Sequence, residues 1–273
     1  MPARIPGREC VPIRSIRMLN QMPDTEKHAI LRRLIPSMLL RDFGVDPIRL
    51  VDAQGRPAVE FETIPGTAYF IIRVRPVPEE TDCALYLQLA DTPFSQLELL
   101  LVILNNLRSE RFHVDRDEHG NPTQFGTLAR NIPEEIRAMK AGLAPGQVRR
   151  GLGLLREVLF LIEDFTAALG HDTFFLTPLA YHTAVLFERY GCGYVQGRVK
   201  MEWIDREFRP GGELWERLDR SSPFRQPELA HSVRGRSWAI HDGILGEPWN
   251  GVRMYKRVGY DAGIRTVSPD IFW

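Results

Sequence analysis

The sequence predicts an α/β (α+β) fold in which helices flank a mixed sheet. Residues 151–197 alternate between helical and strand patterns with short connections, which is typical of α/β proteins. Residues 58–61, 68–74 and 84–89 have the composition of short strands. The 273 residues are 44% hydrophobic and 26% charged, which is typical of a globular protein with a sizeable core.

The first predicted helix follows Asp24, whose side chain can accept a hydrogen bond from the helix start. We expect Pro36 to kink this helix and Gly44 to end it. A hairpin is predicted next, with strands at 48–51 and 58–61. One face of the helix is apolar and consists of Ile30, Leu31, Leu34, Ile35, Met38 and Leu39.

Ser95 and Glu98 have the spacing of a capping box and predict a second helix. Its apolar face would consist of Leu97, Leu100, Leu101, Leu104 and Leu107. A short strand is predicted at 113–115, followed by a polar loop to Pro122. Pro133 and the two acidic residues after it favour the first turn of a third helix.

The most regular pattern lies between residues 151 and 197. Apolar residues at helical spacing predict a helix over 152–169, with Gly170 as its stop. Residues 173–176 form an apolar run too short for a helix and predict a buried strand. A helix over 179–190 and a strand from Tyr194 complete the alternation.

Beyond about residue 205 the chain becomes rich in Gly, Pro, Trp and Arg, with little periodicity. We therefore predict a main α/β domain over 1–204 and a C-terminal extension over 205–273, β-rich or an arm, packed on it. The tryptophans of this extension are interpreted as core or subunit-contact residues, which leaves a homodimer open. They are Trp215, Trp238, Trp249 and Trp273.

Charge and cysteine usage limit the partners and the compartment. Thirty-five basic residues balance thirty-five acidic ones, which argues against nucleic acid or an anionic membrane as partner. The longest apolar run, 99–104, is far shorter than the ~20 residues that span a bilayer. Residues 1–6 do not resemble a secretory signal, and Cys10, Cys83 and Cys192 suit free thiols in a reducing compartment. We expect a cytoplasmic protein.

Residues 143–153 carry the functional argument, because they place glycines and two arginines directly before a long helix. Glycines let a backbone approach an anion closely, and the N–H groups at a helix start can hold a phosphate. Arg149 and Arg150 can add charge-assisted hydrogen bonds. The predicted diphosphate-binding residues are Val148, Arg149, Arg150, Gly151, Leu152 and Gly153.

This segment resembles the GNAT N-acyltransferase superfamily, whose members bind acetyl-CoA through such a loop. Pro145, Gly151 and Gly153 fall at the family's offsets, and Val148 stands where the family has Arg or Gln. The resemblance continues through a helix, a strand and a second helix to residues 187–192, Phe-Glu-Arg-Tyr-Gly-Cys. It covers about 143–197, roughly a fifth of the chain.

The resemblance implies transfer of an acyl group from acetyl-CoA or another acyl-CoA to an amine, without a metal. In the family a tyrosine protonates the leaving thiolate, and here Phe187 stands in its place. Tyr190 and Tyr194 are nearby phenols that can substitute, and we name them as catalytic candidates. Further candidate contributors, which the sequence does not rank, are Asp115, Asp117, Glu118 and Tyr181.

One feature departs from the family. GNAT enzymes have a strand just before the loop, whereas residues 134–140 have a helical pattern. The acyltransferase hypothesis requires two strands that splay apart beside residue 148, with a groove between them.

Two other hypotheses stay open. One is a non-catalytic protein that retains a GNAT-like fold to bind a ligand or partner. The other is an unrelated α/β enzyme with a metal on His182, His231 and His241, although their spacing favours scattered histidines over a site.

Three local patterns favour plain structural interpretations. Residues 115–120 begin like a calcium loop, but Gly126 occupies the position that requires a bidentate Glu, so a polar turn is favoured. Residues 234–238 and 253–257 mix cations with aromatics and are interpreted as cation–π packing. Cys192 is interpreted as a small packed residue.

Overall fold

The computed structural model of the chain describes residues 4–5 and 12–273 and is a mixed α/β protein. Cys10 therefore lies outside the described residues. The strands of its sheet follow the order β1-β2-β3-β4-β5-β7-β6. The strands are β1 (Val59–Thr63), β2 (Tyr69–Val74), β3 (Leu85–Asp91), β4 (Leu97–Leu104), β5 (Thr173–Leu176), β6 (Gly193–Gln196) and β7 (Arg253–Arg257). The predicted fold class is confirmed.

The α-helices of the described residues fall before, between and after the strands. They are α1 (Ile16–Leu19), α2 (Asp24–Leu31), α3 (Ser37–Asp42), α4 (Ile132–Lys140), α5 (Leu155–Ala168), α6 (Tyr181–Arg189), α7 (Arg198–Glu207), α8 (Glu213–Glu216) and α9 (Val233–His241). Short 3-10 helices lie at Arg32–Leu34 and Pro227–His231. Within this part of the chain, no helix is both long enough and apolar enough to cross a membrane.

The chain divides into two compact units, each made of several segments. Unit 1 consists of Met1–Arg108, Gly151–Leu176 and Tyr255–Asp261. Unit 2 consists of Ser109–Arg150, Thr177–Met254 and Ala262–Trp273.

Unit 1 is built on an antiparallel run of four strands, β1 to β4. Leu85, Leu87 and Leu89 alternate along β3 and are fully buried, as expected for a strand whose one face packs on the core. β5 joins β4 in parallel, with Leu97 opposite Phe174 and Leu99 opposite Leu176. The long connection that a parallel pair requires ends with the helix α5.

Helices cover the buried face of this sheet. Phe165 of α5 packs edge-on against Phe70 of β2, with ring centroids 5.8 Å apart. At the start of α1 the carboxylate of Asp91 accepts hydrogen bonds of 2.9 Å from the N–H groups of Ile16 and Arg17. The first N–H groups of a helix have no partner within the helix. Because Asp91 accepts hydrogen bonds from two of them, the end of β3 holds the start of α1 in position.

The helix predicted after Ser95 is wrong. Ser95 has a φ of +58° and lies in the turn between β3 and β4, where the N–H of Thr92 donates to the carbonyl of Gln96 at 2.7 Å. Residues 97–104 form the strand β4. The leucines match the spacing of an apolar helix face, but a strand can also have a continuous apolar sequence. Here the segment forms a strand because it pairs with β3.

Three smaller predictions in unit 1 also need correction. Asp24 is the first residue of α2 and does not cap it, because Pro23 holds the cap position. Pro36 interrupts the predicted helix and becomes the cap of α3, since proline lacks the N–H that a continuous helix needs. Residues 48–51 form no strand beyond an isolated bridge from Val51 to Pro57.

Unit 2 has its own apolar core. It gathers around Trp238, whose indole stacks on Phe224 with centroids 5.2 Å apart and donates to the carbonyl of Leu143 at 2.8 Å. The buried members are Phe112, Val114, Ala138, Leu143, Phe224 and Trp238. An indole buried with its N–H satisfied adds both area and specificity.

Two predictions in unit 2 are wrong and several are confirmed. Residues 113–115 form no strand; the local bridge joins Arg116 to Pro122. The segment after 205 is not β-rich: it holds the short helices α8 and α9, a 3-10 helix at Pro227–His231 and the strand β7, joined by irregular stretches. The alternative prediction of an arm stays a prediction. The helices predicted after Pro133 and around 179–190 are present in unit 2 as α4 and α6, and the helix 152–169 and the strand 173–176 are present in unit 1 as α5 and β5.

Candidate functional site

The predicted loop divides between the units, with Val148–Arg150 in unit 2 and Gly151–Gly153 in unit 1. In unit 1, Gly151 lies beside the last residue of β4: a Cβ on Gly151 would be 3.6 Å from the carbonyl oxygen of Leu104. Gly153 has a φ of +73°, a conformation that glycine adopts without strain. Both glycines are exposed. The end of β4 and the start of α5 are thus adjacent.

The backbone of this loop has open donors. The N–H groups of Gly151, Leu152 and Gly153 form no hydrogen bond with any residue that the structure describes. Leu154 occupies the N-cap of α5 and its side chain cannot accept one. The first N–H groups of a helix lack intrahelical partners and carry the positive end of its dipole. This arrangement can bind an anion such as a phosphate.

β4 has an open edge that leads to the loop. Its pairing with β5 covers only Leu97–Leu99, whereas β4 continues to Leu104. Beyond Leu99, β4 pairs within the described residues with β3 alone. Leu100 and Ile103 on this stretch are exposed. An open strand edge offers backbone donors and acceptors to an extended ligand.

The other half of the predicted loop belongs to unit 2. Val148 packs against the core of unit 2, and its carbonyl accepts a hydrogen bond of 2.8 Å from Phe112. Arg149 is buried and donates to the carbonyl of Ser109 at 2.6 Å. Arg150 is exposed. Of the two arginines predicted to bind phosphate, Arg150 is therefore the one with an exposed side chain.

Tyr194, a catalytic candidate, belongs to a buried hydrogen-bond network. Its hydroxyl donates to the carboxylate of Glu188. Glu188 also accepts a hydrogen bond from the backbone N–H of Thr266 at 3.0 Å. Burial, and then the negative charge of Glu188, raise the pKa of the Tyr194 phenol well above its usual value. Tyr194 thus keeps its proton at neutral pH.

Tyr190, the other candidate, ends α6. It is the C-cap residue and is half-buried, and its N–H donates to the carbonyl of Phe187 at 3.1 Å. Phe187 is buried and takes no polar role. The Tyr190 phenol forms no hydrogen bond with any described residue, so it differs from Tyr194.

Tyr181 is buried at the start of α6. Its hydroxyl has no hydrogen-bond partner among the described residues. Burial raises the pKa of Tyr181 to about 12. The ring of Trp249 meets it edge-on at 6.1 Å. This phenol is neutral and enclosed.

The acidic residues near 115 stabilise their own loop. Both carboxylate oxygens of Asp115 accept hydrogen bonds from the guanidinium of Arg111, at 3.1 and 2.8 Å. The carboxylate of Asp117 accepts from the N–H of Asn121 at 2.8 Å, which lowers its pKa. Glu118 is exposed. The polar turn favoured by the sequence is present here.

The three histidines of the metal hypothesis have separate partners. Nδ1 of His182 lies 2.8 Å from Oγ of Ser237, and burial lowers the pKa of His182 to about 3. His241 contacts Glu135, whereas His231 packs edge-on against Trp215 at 6.2 Å. Among the described residues, no three side chains of His, Cys, Asp or Glu are placed to share a metal ion.

A partly buried ionic network around buried Glu135 in unit 2 escaped the sequence analysis. Arg130 donates to Glu135 at 3.0 Å and to Asp242 at 2.7 Å. Burial favours the neutral acids, but hydrogen bonds from His241 and Arg130 to Glu135, and from Arg130 to Asp242, hold both pKa values below their usual range. No local sequence pattern reveals this network, because Arg130 and Asp242 are distant in the chain.

Comparisons with known proteins do not assign the chain to a family. Neither family models, nor curated proteins, nor solved structures gave a match.

Proposed function

We propose that the protein binds an acyl-CoA and transfers the acyl group to an amine. The observation that carries the proposal is the open edge of β4, Leu100–Leu104, which ends beside Gly151 and three N–H groups without an acceptor. A coenzyme A thioester has an extended arm with two amides and a diphosphate at its far end. The open edge of β4 can form hydrogen bonds with the two amides, and the N–H groups of the loop can bind the diphosphate.

The topology around this edge also supports the proposal. The hypothesis required two strands that splay apart beside residue 148 with a groove between them. β5 ends at Leu176, opposite Leu99, and β4 continues to Leu104, so what supports the proposal is an open strand edge rather than a splayed pair. The sequence predicts no strand directly before the loop. β4 nevertheless lies next to the loop in space, since Gly151 is beside Leu104 although residues 105–150 intervene. The helix at Ile132–Lys140 belongs to this intervening segment.

The proposed reaction is direct transfer. The amine nitrogen attacks the thioester carbonyl, a C–N bond forms and the C–S bond breaks, the amine loses one proton to a base, and the thiolate gains one. A phenol close to the sulfur can donate that last proton. Tyr190 is the better candidate, because the proton of Tyr194 is held by Glu188.

A second candidate function is acyl-CoA binding without catalysis. The arrangement of Tyr194 and Phe187 favours it, since one phenol is engaged by Glu188 and the other position has no hydroxyl. Release of free coenzyme A thiol in the presence of a panel of primary amines separates this candidate from the transferase.

The binding step is tested by thermal unfolding in the presence of coenzyme A and acetyl-CoA. A ligand that binds only the folded state stabilises it by about 2.7 kcal/mol at a hundredfold excess over its Kd. Gly151→Glu should abolish the shift, because a carboxylate would occupy the loop and repel the diphosphate. Gly151→Ala is the steric control, since a Cβ meets only ordinary contact at 3.6 Å.

Phe160→Glu is the charge control. Phe160 is exposed on α5, so this variant adds the same charge away from the loop. We expect it to retain the shift. An unchanged midpoint of the parent at millimolar coenzyme A, or an equal shift in Gly151→Glu, contradicts the proposal.

A further inference from the structure

Two arginines of unit 2 lie close together, and neither forms an ion pair with a described residue. Arg234 is the second residue of α9. A bridge between Ser232 and Phe272 brings the C-terminal segment beside this helix, so that the guanidinium of Arg234 lies 5.4 Å from the ring centre of Trp273. The second arginine is Arg150, and we call Arg150 and Arg234 the arginine pair.

The N–H donors of the Arg234 guanidinium find no hydrogen-bond acceptor among the described residues. A guanidinium carries five N–H donors. Nε of Arg234 is buried and unpartnered, and the side chain forms no hydrogen bond or ion pair with any described residue. The stack on Trp273 offers its cation a π face but no acceptor. Leaving a buried donor unpaired costs free energy, so this position calls for an acceptor from outside the described chain.

Arg150 adds a second positive charge. Its side chain makes one weak contact, from Nη2 to the carbonyl of Ala141 at 3.4 Å. Nη1 of Arg234 would lie 3.8 Å from a Cβ on Gly142, the next residue. Burial, and then the charge of Arg150, lower the pKa of Arg234. Both guanidinium groups thus lie near the turn formed by Ala141 and Gly142.

The end of α4 compensates only part of this charge. Ala141 is the C-cap of α4, and a helix C-terminus acts as roughly half a negative charge. The two arginine charges therefore exceed what this helix end can balance, and Arg189 adds a further positive charge on the other contact of the Trp273 ring, at 4.8 Å from its centre. Nearby His182 adds no charge near neutral pH, because its pKa is lowered to about 3. A dianion would balance the excess and accept the open hydrogen bonds.

We propose that the arginine pair, Arg150 and Arg234, binds a phosphate group. Phosphate supplies two negative charges near neutral pH and several acceptor oxygens, and a guanidinium fork matches its geometry. The group can come from a phosphorylated small molecule or from the phosphates of an acyl-CoA. The inference holds for unit 2 alone and does not require the acyltransferase function.

The test uses thermal unfolding of the full chain with inorganic phosphate and with pyrophosphate, in a buffer free of other multivalent anions. Phosphate should raise the midpoint of the parent protein. Arg234→Gln and Arg150→Gln should each weaken the apparent affinity by about tenfold or more. Arg198→Gln is the matched control, because Arg198 is an exposed arginine of unit 2 paired with Glu202; it should behave as the parent.

A structural role for Arg234 predicts a different result. Arg234→Gln removes the stack on Trp273 in either case, so the midpoint in phosphate-free buffer does not separate the two roles. If Arg234 only holds the fold, its variant shows the same phosphate-induced shift as the parent; in our proposal that shift becomes smaller. No phosphate shift of the parent at millimolar concentration, or equal shifts in all variants, overturns the proposal.

Two further arms identify the source of the phosphate, starting from a positive result with inorganic phosphate. Loss of the coenzyme A shift in Arg234→Gln, with a smaller shift for dephospho-coenzyme A in the parent, assigns the pair to the 3′-phosphate of an acyl-CoA. A full coenzyme A shift in Arg234→Gln assigns it to a separate phosphorylated molecule. The phosphate shift must persist in Gly151→Glu, so that a failure of the acyl-CoA proposal is distinguishable from a failure of this one.

Discussion

Gly151 lies against the carbonyl oxygen of Leu104, at 3.6 Å from where a Cβ would stand, although residues 105–150 intervene. The chain leaves the end of β4, builds α4 and the surrounding loops of unit 2, and returns to the same strand end. The loop before α5 is therefore next to a strand in space, and its open N–H groups lie where that strand ends.

The two glycines of this loop should respond differently to alanine. Gly151 has an ordinary φ, and its Cβ would make a normal contact, so Gly151→Ala should change the free energy of unfolding by less than about 0.5 kcal/mol. Gly153 has a φ of +73°, so Gly153→Ala should cost about 1 kcal/mol. Urea unfolding of both variants measures the difference. Equal losses would show that the loop backbone is not held as described.

The indole of Trp238 should dominate the stability of unit 2. Trp238→Ala removes the stack on Phe224 and should cost about 3–5 kcal/mol. Trp238→Phe retains an aromatic ring but leaves the carbonyl of Leu143 without its donor, and should cost about 1–3 kcal/mol. Chemical denaturation followed by circular dichroism measures both. A loss for the phenylalanine variant as large as for alanine would contradict the packing role.

The ionic network predicts loss of stability in acid. Hydrogen bonds from His241 and Arg130 lower the pKa of folded Glu135 against the opposing effect of burial. A carboxyl whose pKa is lower in the folded state stabilises the fold fully above its unfolded pKa of about 4.3. This stabilisation is lost as the pH drops through the folded pKa. The free energy of unfolding should therefore decrease below about pH 4.

Glu135→Gln tests the assignment, because it removes the titrating group. The slope of stability against pH in the acid range should become smaller in this variant. Urea titrations from neutral pH down to the acid range measure the slopes. An unchanged slope in Glu135→Gln would remove Glu135 as a source of the dependence.

Sequence reasoning succeeded where local pattern and local structure agree. α5 and β5 have clear periodicity and end signals such as Gly170, and both are present. β4 was missed because a continuous run of apolar residues fits a helix stripe as well as a strand; pairing with β3 makes the choice.

The candidate site was predictable only in part. The glycines of the loop are visible in the sequence, as is the helix that follows them. The contact between Gly151 and Leu104 and the missing acceptor of Arg234 depend on residues distant in the chain, and no spacing rule reports them.

Tyr190 and Tyr194 should separate catalysis from stability. Tyr194→Phe removes a hydrogen bond to buried Glu188 and should cost about 1–3 kcal/mol of unfolding free energy. Tyr190→Phe removes a phenol that has no described partner, so stability should change by less than about 0.5 kcal/mol. If Tyr190 protonates the leaving thiolate, its variant should lower kcat by about a hundredfold or more at unchanged coenzyme A affinity. Thermal unfolding and thiol release measure the two effects, and full activity in Tyr190→Phe would exclude it as the acid.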